Sequence, residues 1–167
     1  MQAGGDASGD VMSFPIDDSA PGVAEPTRTN GDVTTMRARH GRYAVVITLT
    51  TRDFDPTTPL SGGIFAFKTN KGFHAEAFVF SSQGAAPEVT LTVSDRPLRC
   101  HGLRGRLDFE ANTVRVRVPR SCLNNPRWVR VGAGASTMDD TRYYADDAQS
   151  PTVASESITF GPRLRRA

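Results

Sequence analysis

The sequence contains no apolar run near the roughly 18 residues of a membrane-spanning helix, so we expect no membrane span. It also contains no stretch of about 12 residues with helical periodicity, which argues against a helical fold. A G-x-S-x-G nucleophile motif, a phosphate-binding loop and a Cys/His cluster with zinc spacing are all missing. These absences predict a protein that is not an enzyme.

Lysine is scarce, with 2 lysines against 18 arginines, and the formal net charge is only +2. That charge is too small to indicate a nucleic-acid partner by itself. Its distribution is uneven, because residues 1–35 carry a net charge of −5 from six acids and one arginine, whereas residues 96–130 carry +7 from nine arginines and two acids. We expect either internal charge pairing or binding of an ion by the acidic segments.

Cysteine is limited to Cys100 and Cys122. In an oxidising compartment this pair can form one disulfide, worth about 3 kcal/mol in the chain-entropy model. Two buried free thiols are the alternative, since unpaired cysteine is commonly buried. The opening residues lack the charged and apolar regions of a signal peptide, but their small side chains resemble the residues that follow a cleavage site. We therefore expect a protein that is secreted or at the cell surface.

Alternation of apolar and polar residues begins at Val33 and indicates half-buried strands. The pattern predicts an all-β fold, an antiparallel β-sandwich of about eight to ten short strands with little or no helix. Residues 1–31 are rich in Gly, Asp, Ser and Pro, and we interpret them as a loose acidic N-terminal arm that can include an edge strand at the short apolar stretch 11–14. Residues 32–167 then form a single sandwich domain.

The first predicted hairpin turns at residues 40–43. Its register pairs Met36 with Ile47 and Ala38 with Val45, which places all four apolar side chains on one face.

A second hairpin is expected at residues 103–118, closing at residues 111–112. Its register pairs Leu107 with Val116 inside the sandwich and Arg115 with Asp108 outside. Arg106, Arg115 and Arg117 then form a basic outer face. Aromatic platforms for bases are missing from this stretch, so we expect no nucleic-acid partner.

Three acidic segments point to a cation. Asp6 and Asp10 flank a glycine in the N-terminal arm, Asp32 precedes the first long strand, and Asp146 and Asp147 lie in a late segment. Bringing these carboxylates to one end of the sandwich would place like charges together, and a bound calcium ion would relieve that repulsion. The alternative is three solvated acidic loops, or carboxylates paired with arginines.

The aromatic residues Trp128, Tyr143 and Tyr144 are candidates for a ligand-binding surface. They support a glycan-binding module as an alternative function if they are exposed together. A secreted hydrolase is the other alternative, because a serine, a histidine and a carboxylate could assemble only in the folded chain. Our main expectation is a non-catalytic module that binds an unknown protein or glycan outside the cell.

Several short motifs resemble those of small secreted actinobacterial proteins of unknown function. The matching residues are Asp6, Gly9, Asp10 and Val11, the run Asn30-Gly31-Asp32, the runs 118–123 and 126–132, and Tyr144, Asp146, Asp147 and Ala148. This resemblance implies export, a β-sandwich fold and a Cys100–Cys122 bridge, but no established activity. The opening motif is also distantly similar to calcium-binding sandwich domains of extracellular carbohydrate enzymes, although Ala7 stands where those domains usually have proline.

Overall fold

The computed structural model describes residues 1–17, 19–150 and 158–167. Apart from a short 3₁₀ helix at Arg120–Leu123, the elements of these residues are all strands. In chain order they are β1 (Gln2–Gly5), β2 (Met12–Pro15), β3 (Val23–Ala24), β4 (Val33–His40), β5 (Ala44–Thr51), β6 (Leu60–Thr69), β7 (His74–Ser81), β8 (Glu88–Val93), β9 (Arg96–Pro97), β10 (Arg104–Asp108), β11 (Thr113–Pro119), β12 (Trp128–Met138), β13 (Arg142–Asp147) and β14 (Leu164–Arg165).

The strands form two antiparallel sheets that pack together. The smaller sheet has the order β1-β4-β5-β11-β10, and the larger has the order β3-β2-β13-β12-β6-β7-β8-β9, with β14 paired to β12. The predicted all-β antiparallel sandwich is thus confirmed. The described residues contain more strands than the eight to ten expected, because five of the strands have only two or four residues.

The hydrophobic core lies between the two sheets and follows from the alternating pattern. On β5, Val45, Ile47 and Leu49 are fully buried while the residues between them are partly exposed. Phe65 and Phe67 of β6 are buried on the facing sheet and belong to the same cluster. A period of two residues therefore sends one face of each strand into the core.

Both predicted hairpin registers are wrong by two residues. In the first hairpin Met36 lies opposite Leu49 and Ala38 opposite Ile47. A shift of two residues leaves every side chain on the same face, so the alternation alone could not distinguish the registers.

In the second hairpin Leu107 lies opposite Val114, and Arg115 lies opposite Arg106 rather than Asp108. The loop at 109–112 is longer than expected because Asn112 takes a positive φ of 51° and the Ala111 N–H donates to the Asp108 carboxylate.

Residues 1–31 contribute strands to both sheets, which differs from the loose arm expected. β1 pairs with β4 in the smaller sheet, while β2 pairs with β13 in the larger one. The connection at residues 6–11 therefore crosses from one sheet to the other. β1 lies at the edge of the smaller sheet, where backbone hydrogen bonds rather than apolar side chains hold its glycines in place. β2 lies between β3 and β13 and buries Met12 and Ser13.

Cys100 and Cys122 form the predicted disulfide, with their Cα atoms 5.6 Å apart, and the chain has no free thiol. The bridge joins the segment before β10 to the 3₁₀ helix after β11. It closes a loop with a sequence separation of 22 residues around the β10–β11 hairpin.

Replacing both cysteines (Cys100→Ser with Cys122→Ser) should lower the melting temperature because the unfolded chain gains freedom. A loss of about 3 kcal/mol corresponds to about 6–12 °C in a chain of this size. Circular dichroism during heating measures the shift. An unchanged melting temperature in the folded double variant would contradict a stabilising bridge.

His40 is buried, with 1% of its surface exposed, at the end of β4. Its Nε2 lies 3.2 Å from the Arg120 Nε, which can only donate, so Nε2 is the acceptor. The Nδ1–H therefore donates to the Leu164 carbonyl oxygen at 3.1 Å. Burial lowers the pKa of His40, and the Arg120 charge adds to this effect.

Because the folded-state pKa of His40 is lowered, the unfolded chain binds more protons as the pH falls below about 6.5. The stability that neutral His40 contributes should therefore be lost on acidification. We expect the difference in unfolding free energy between the parent and His40→Asn to shrink from pH 7 to pH 5. Urea titrations at each pH measure it, and a constant difference would contradict this assignment.

Candidate functional site

The five aspartates expected at a cation site are placed by the crossing of the N-terminal segment between the sheets. Asp6 follows β1, Asp10 precedes β2, and Asp32 precedes β4, the partner of β1. Asp146 and Asp147 end β13, the partner of β2. The topology thus brings the three acidic segments to one edge of the sandwich.

Asp6, Asp10 and Asp146 form the centre of this aspartate cluster. One carboxylate oxygen of each lies within 4.8 Å of the others. Asp146 is almost completely buried, with 4% exposure, and one of its oxygens accepts from the Val33 N–H at 2.6 Å. By contrast, both oxygens of Asp10 and the Oδ2 of Asp6 are buried without a hydrogen-bond partner among the described residues.

Asp32 and Asp147 flank the centre but have partners of their own. Asp32 is fully buried, accepts from the Gly9 N–H, and pairs with the Arg52 guanidinium at 3.1 Å. Asp147 accepts from the Thr159 N–H at 2.6 Å and the Gln149 N–H at 3.0 Å. These two carboxylates therefore add negative charge to the cluster while their oxygens are already hydrogen-bonded.

Burial and the close approach of these carboxylates raise the pKa values of the three central aspartates. Burial raises the pKa of Asp6 to about 7, and the negative charge of Asp10 adds to the effect. Burial likewise raises the pKa of Asp146 to about 8, with the charges of Asp10 and Asp6 acting in the same direction. The pKa of Asp10 is also raised, first by burial and then by Asp32. Near neutral pH this cluster needs protons or a cation to relieve its repulsion.

The donor set is made only of oxygens. Three carboxylates close enough to share one ion, with no histidine or thiolate in the group, suit a hard divalent cation such as Ca²⁺ or Mg²⁺ rather than zinc. Gly9 contributes to this arrangement because its positive φ of 85° turns its N–H towards Asp32.

The aromatic candidates do not form one surface. Tyr144 is buried, donates its hydroxyl to Asp139 at 2.7 Å and lies under the Arg28 guanidinium. Tyr143 is stacked on Phe14, with ring centroids 4.9 Å apart.

Trp128 is partly buried under the Arg163 guanidinium at the start of β12. The tyrosines lie opposite the other end of that strand, roughly 30 Å away at the strand rise. The three rings therefore cannot contact one short ligand together.

Neither ring nitrogen of His40 is available for catalysis, since Arg120 and Leu164 use both. His74 and His101 are exposed. Within the described ranges, no hydrogen bond joins a histidine to a serine or a carboxylate.

The basic residues Arg106, Arg115 and Arg117 lie on the outer face of the smaller sheet, as expected. The register adds Arg37 and Arg39 of β4 and Arg104 of β10 to the same face. These three arginines were not among the residues predicted for the face, although the alternation Arg37-Ala38-Arg39 in the sequence indicates two of them.

Comparison of the chain with protein-family models, with curated protein sequences and with solved structures gives no match. The part of the chain that the structure describes holds no helix with the length and hydropathy that crossing a membrane requires.

Gly134 of β12 packs directly against the strand that carries the aspartates. A Cβ at this position would lie 2.5 Å from the Asp146 carbonyl oxygen, a backbone atom that cannot rotate away. Gly134→Ala should therefore lower the unfolding free energy by about 1–3 kcal/mol, the usual effect of overpacking. Urea unfolding measures it. The control is Gly4→Ala, because nothing lies within 4 Å of a Cβ there; equal effects of the two variants would contradict the close approach.

Proposed function

We propose that this protein is an exported, non-catalytic binding module whose aspartate cluster holds a structural calcium ion. The ion would hold the connection between β1 and β2 against the end of β13, and so would link the two sheets. The partner would be a macromolecule at the cell surface.

One observation supports a bound calcium ion more strongly than the other observations do. Both carboxylate oxygens of Asp10 and one of Asp6 are buried without a partner, 4.8 Å or less from an oxygen of buried Asp146. Buried polar atoms in folded proteins are nearly always hydrogen-bonded or bound to an ion, because burying an unpaired charge is costly. A cation at this point would satisfy these oxygens and remove the mutual repulsion.

Calcium suits this position better than magnesium. The carboxylates come from an irregular connection and from a strand end, which favours the flexible coordination of Ca²⁺ over the strict octahedron of Mg²⁺. Extracellular calcium modules bind with dissociation constants of about 10⁻⁴–10⁻³ M, an affinity that a site with few charged ligands can reach.

Export is supported by the disulfide, since such bonds persist mainly in oxidising compartments. A non-catalytic role is supported by the hydrogen bonds of His40, which leave its ring without a serine or carboxylate partner. The glycan-binding alternative has less support, because the candidate aromatic rings are separated or covered.

Adding millimolar calcium to chelator-treated protein should raise its melting temperature. At about 100 times the dissociation constant, the ligand stabilises the folded state by about 2.7 kcal/mol, or about 5–11 °C for this chain length. Magnesium at the same concentration should give a smaller shift. The calcium shift should also be larger at pH 8 than at pH 5.5, because protons compete for the carboxylates.

Two variants test where the ion binds. Asp10→Asn should lose the calcium shift but match or exceed the chelator-treated parent in stability, because the amide removes one of the crowded charges. Asp140→Asn, at an exposed aspartate in the β12–β13 turn, is the matched control and should keep the full shift. An absent shift in the parent, or an equal shift in Asp10→Asn, would contradict the calcium site.

A further inference from the structure

The outer face of the smaller sheet carries a two-row array of arginines, here called the arginine face. One row runs across neighbouring strands through Arg37, Thr48, Arg115 and Arg106. The next row runs through Arg39, Val46, Arg117 and Arg104. At the strand spacing of about 4.8 Å each row spans about 14 Å, and the rows lie about 7 Å apart.

Almost nothing in the protein neutralises this face. The five strands of the smaller sheet contain one acidic residue, Asp108, which pairs with Arg106 at 2.8 Å. Arg117 is partly buried and donates to the Gly102 carbonyl oxygen at 3.1 Å. The remaining four guanidinium groups have no ion-pair or hydrogen-bond partner within residues 1–17, 19–150 and 158–167, and all four are exposed: Arg37, Arg39, Arg104 and Arg115.

The register makes this arrangement costly for the isolated protein. Arg106 lies directly opposite Arg115, and Arg104 directly opposite Arg117. Like charges at directly opposed positions destabilise a sheet. A sheet selected only for stability would place an acid across from each arginine, so the array is better explained by an anionic ligand that lies over it.

We propose that the arginine face binds a linear anionic polysaccharide that carries carboxylate or sulfate groups. Guanidinium groups donate two parallel hydrogen bonds to such groups, and the array presents donors at regular intervals in two directions. A polymer with a charged group on successive units can contact several arginines at once. The outer face carries an open concavity lined by Arg37, Arg39 and Arg115 together with Met1, Ala3, Val46 and Thr48. A ligand that lies across this face can therefore contact three of the guanidinium groups.

Two observations favour an anionic polysaccharide over a nucleic acid. The five strands contain no Phe, Tyr or Trp on which a base could stack. The disulfide is typical of an oxidising compartment, whereas intracellular nucleic acids lie in reducing compartments. The inference extends the proposed binding module by naming its partner, and it does not depend on the calcium ion.

The test measures binding of the full chain to dextran sulfate, with uncharged dextran of the same length as the reference and a polygalacturonate as the carboxylate probe. We expect binding to both anionic polymers and none to dextran at roughly 50 mM salt, with affinity falling as salt rises. Arg37→Gln with Arg115→Gln should weaken binding by at least about tenfold, since each removes a charge-assisted hydrogen bond.

The matched control is Arg127→Gln with Arg165→Gln, which removes the same charge from exposed positions near the β12–β14 pairing. This variant should bind dextran sulfate within about twofold of the parent, allowing for the small effect of distant, screened charges. Equal losses in both double variants would overturn the arginine face as a site and leave only attraction by net charge.

A single-stranded oligothymidylate of matched charge is included as a competitor. Tighter binding of the oligonucleotide than of both polysaccharides would overturn the proposal in favour of a nucleic acid. Absence of polysaccharide binding in a protein that still shows the calcium shift would reject the partner alone. Loss of the calcium shift with retained polysaccharide binding would reject only the metal site.

Discussion

Repulsion among the aspartates at the crossing between the sheets is the constraint on which the N-terminal part of the fold depends. The connection at residues 6–11 must bring Asp6 and Asp10 next to buried Asp146 in order to place β1 on one sheet and β2 on the other. Arg52 compensates only Asp32, at the margin of the cluster. Docking of both strands is therefore linked to whatever supplies positive charge at the centre, whether protons or a cation.

The small net charge of +2 conceals two strongly charged regions that do not neutralise each other. Internal pairing was one expectation from the sequence, yet the described residues contain only two ion pairs, Arg52–Asp32 and Arg106–Asp108. The aspartates lie where the chain crosses between sheets, whereas the arginines lie on an outer sheet face. Charges kept apart in this way lose the stabilisation of mutual contact and are available to external ions and polymers.

The fold class, the inward faces and the disulfide could be predicted because each depends on local pattern or on a pair of residues. Strand register could not, since pairing Met36 with Leu49 or with Ile47 buries the same side chains. In the second hairpin the observed register goes with a four-residue loop at 109–112, in which Asn112 has a positive φ. Of the N-terminal strands, β2 coincides with the short apolar stretch at residues 11–14 that indicates a strand in the sequence. β1 has no such pattern, because backbone pairing with β4 holds it in place.

The aspartate cluster was predictable as a set of residues because charged residues beside strand ends meet when those strands pair. The strand pairings that link this cluster to the rest of the molecule could not be predicted. Asp6 follows β1, and β1 pairs with β4, the strand that carries Arg37 and Arg39. The Val33 N–H at the start of that same strand donates to Asp146. A cation that holds Asp6 beside Asp146 would therefore also hold β1 against β4, and with it the edge of the arginine face.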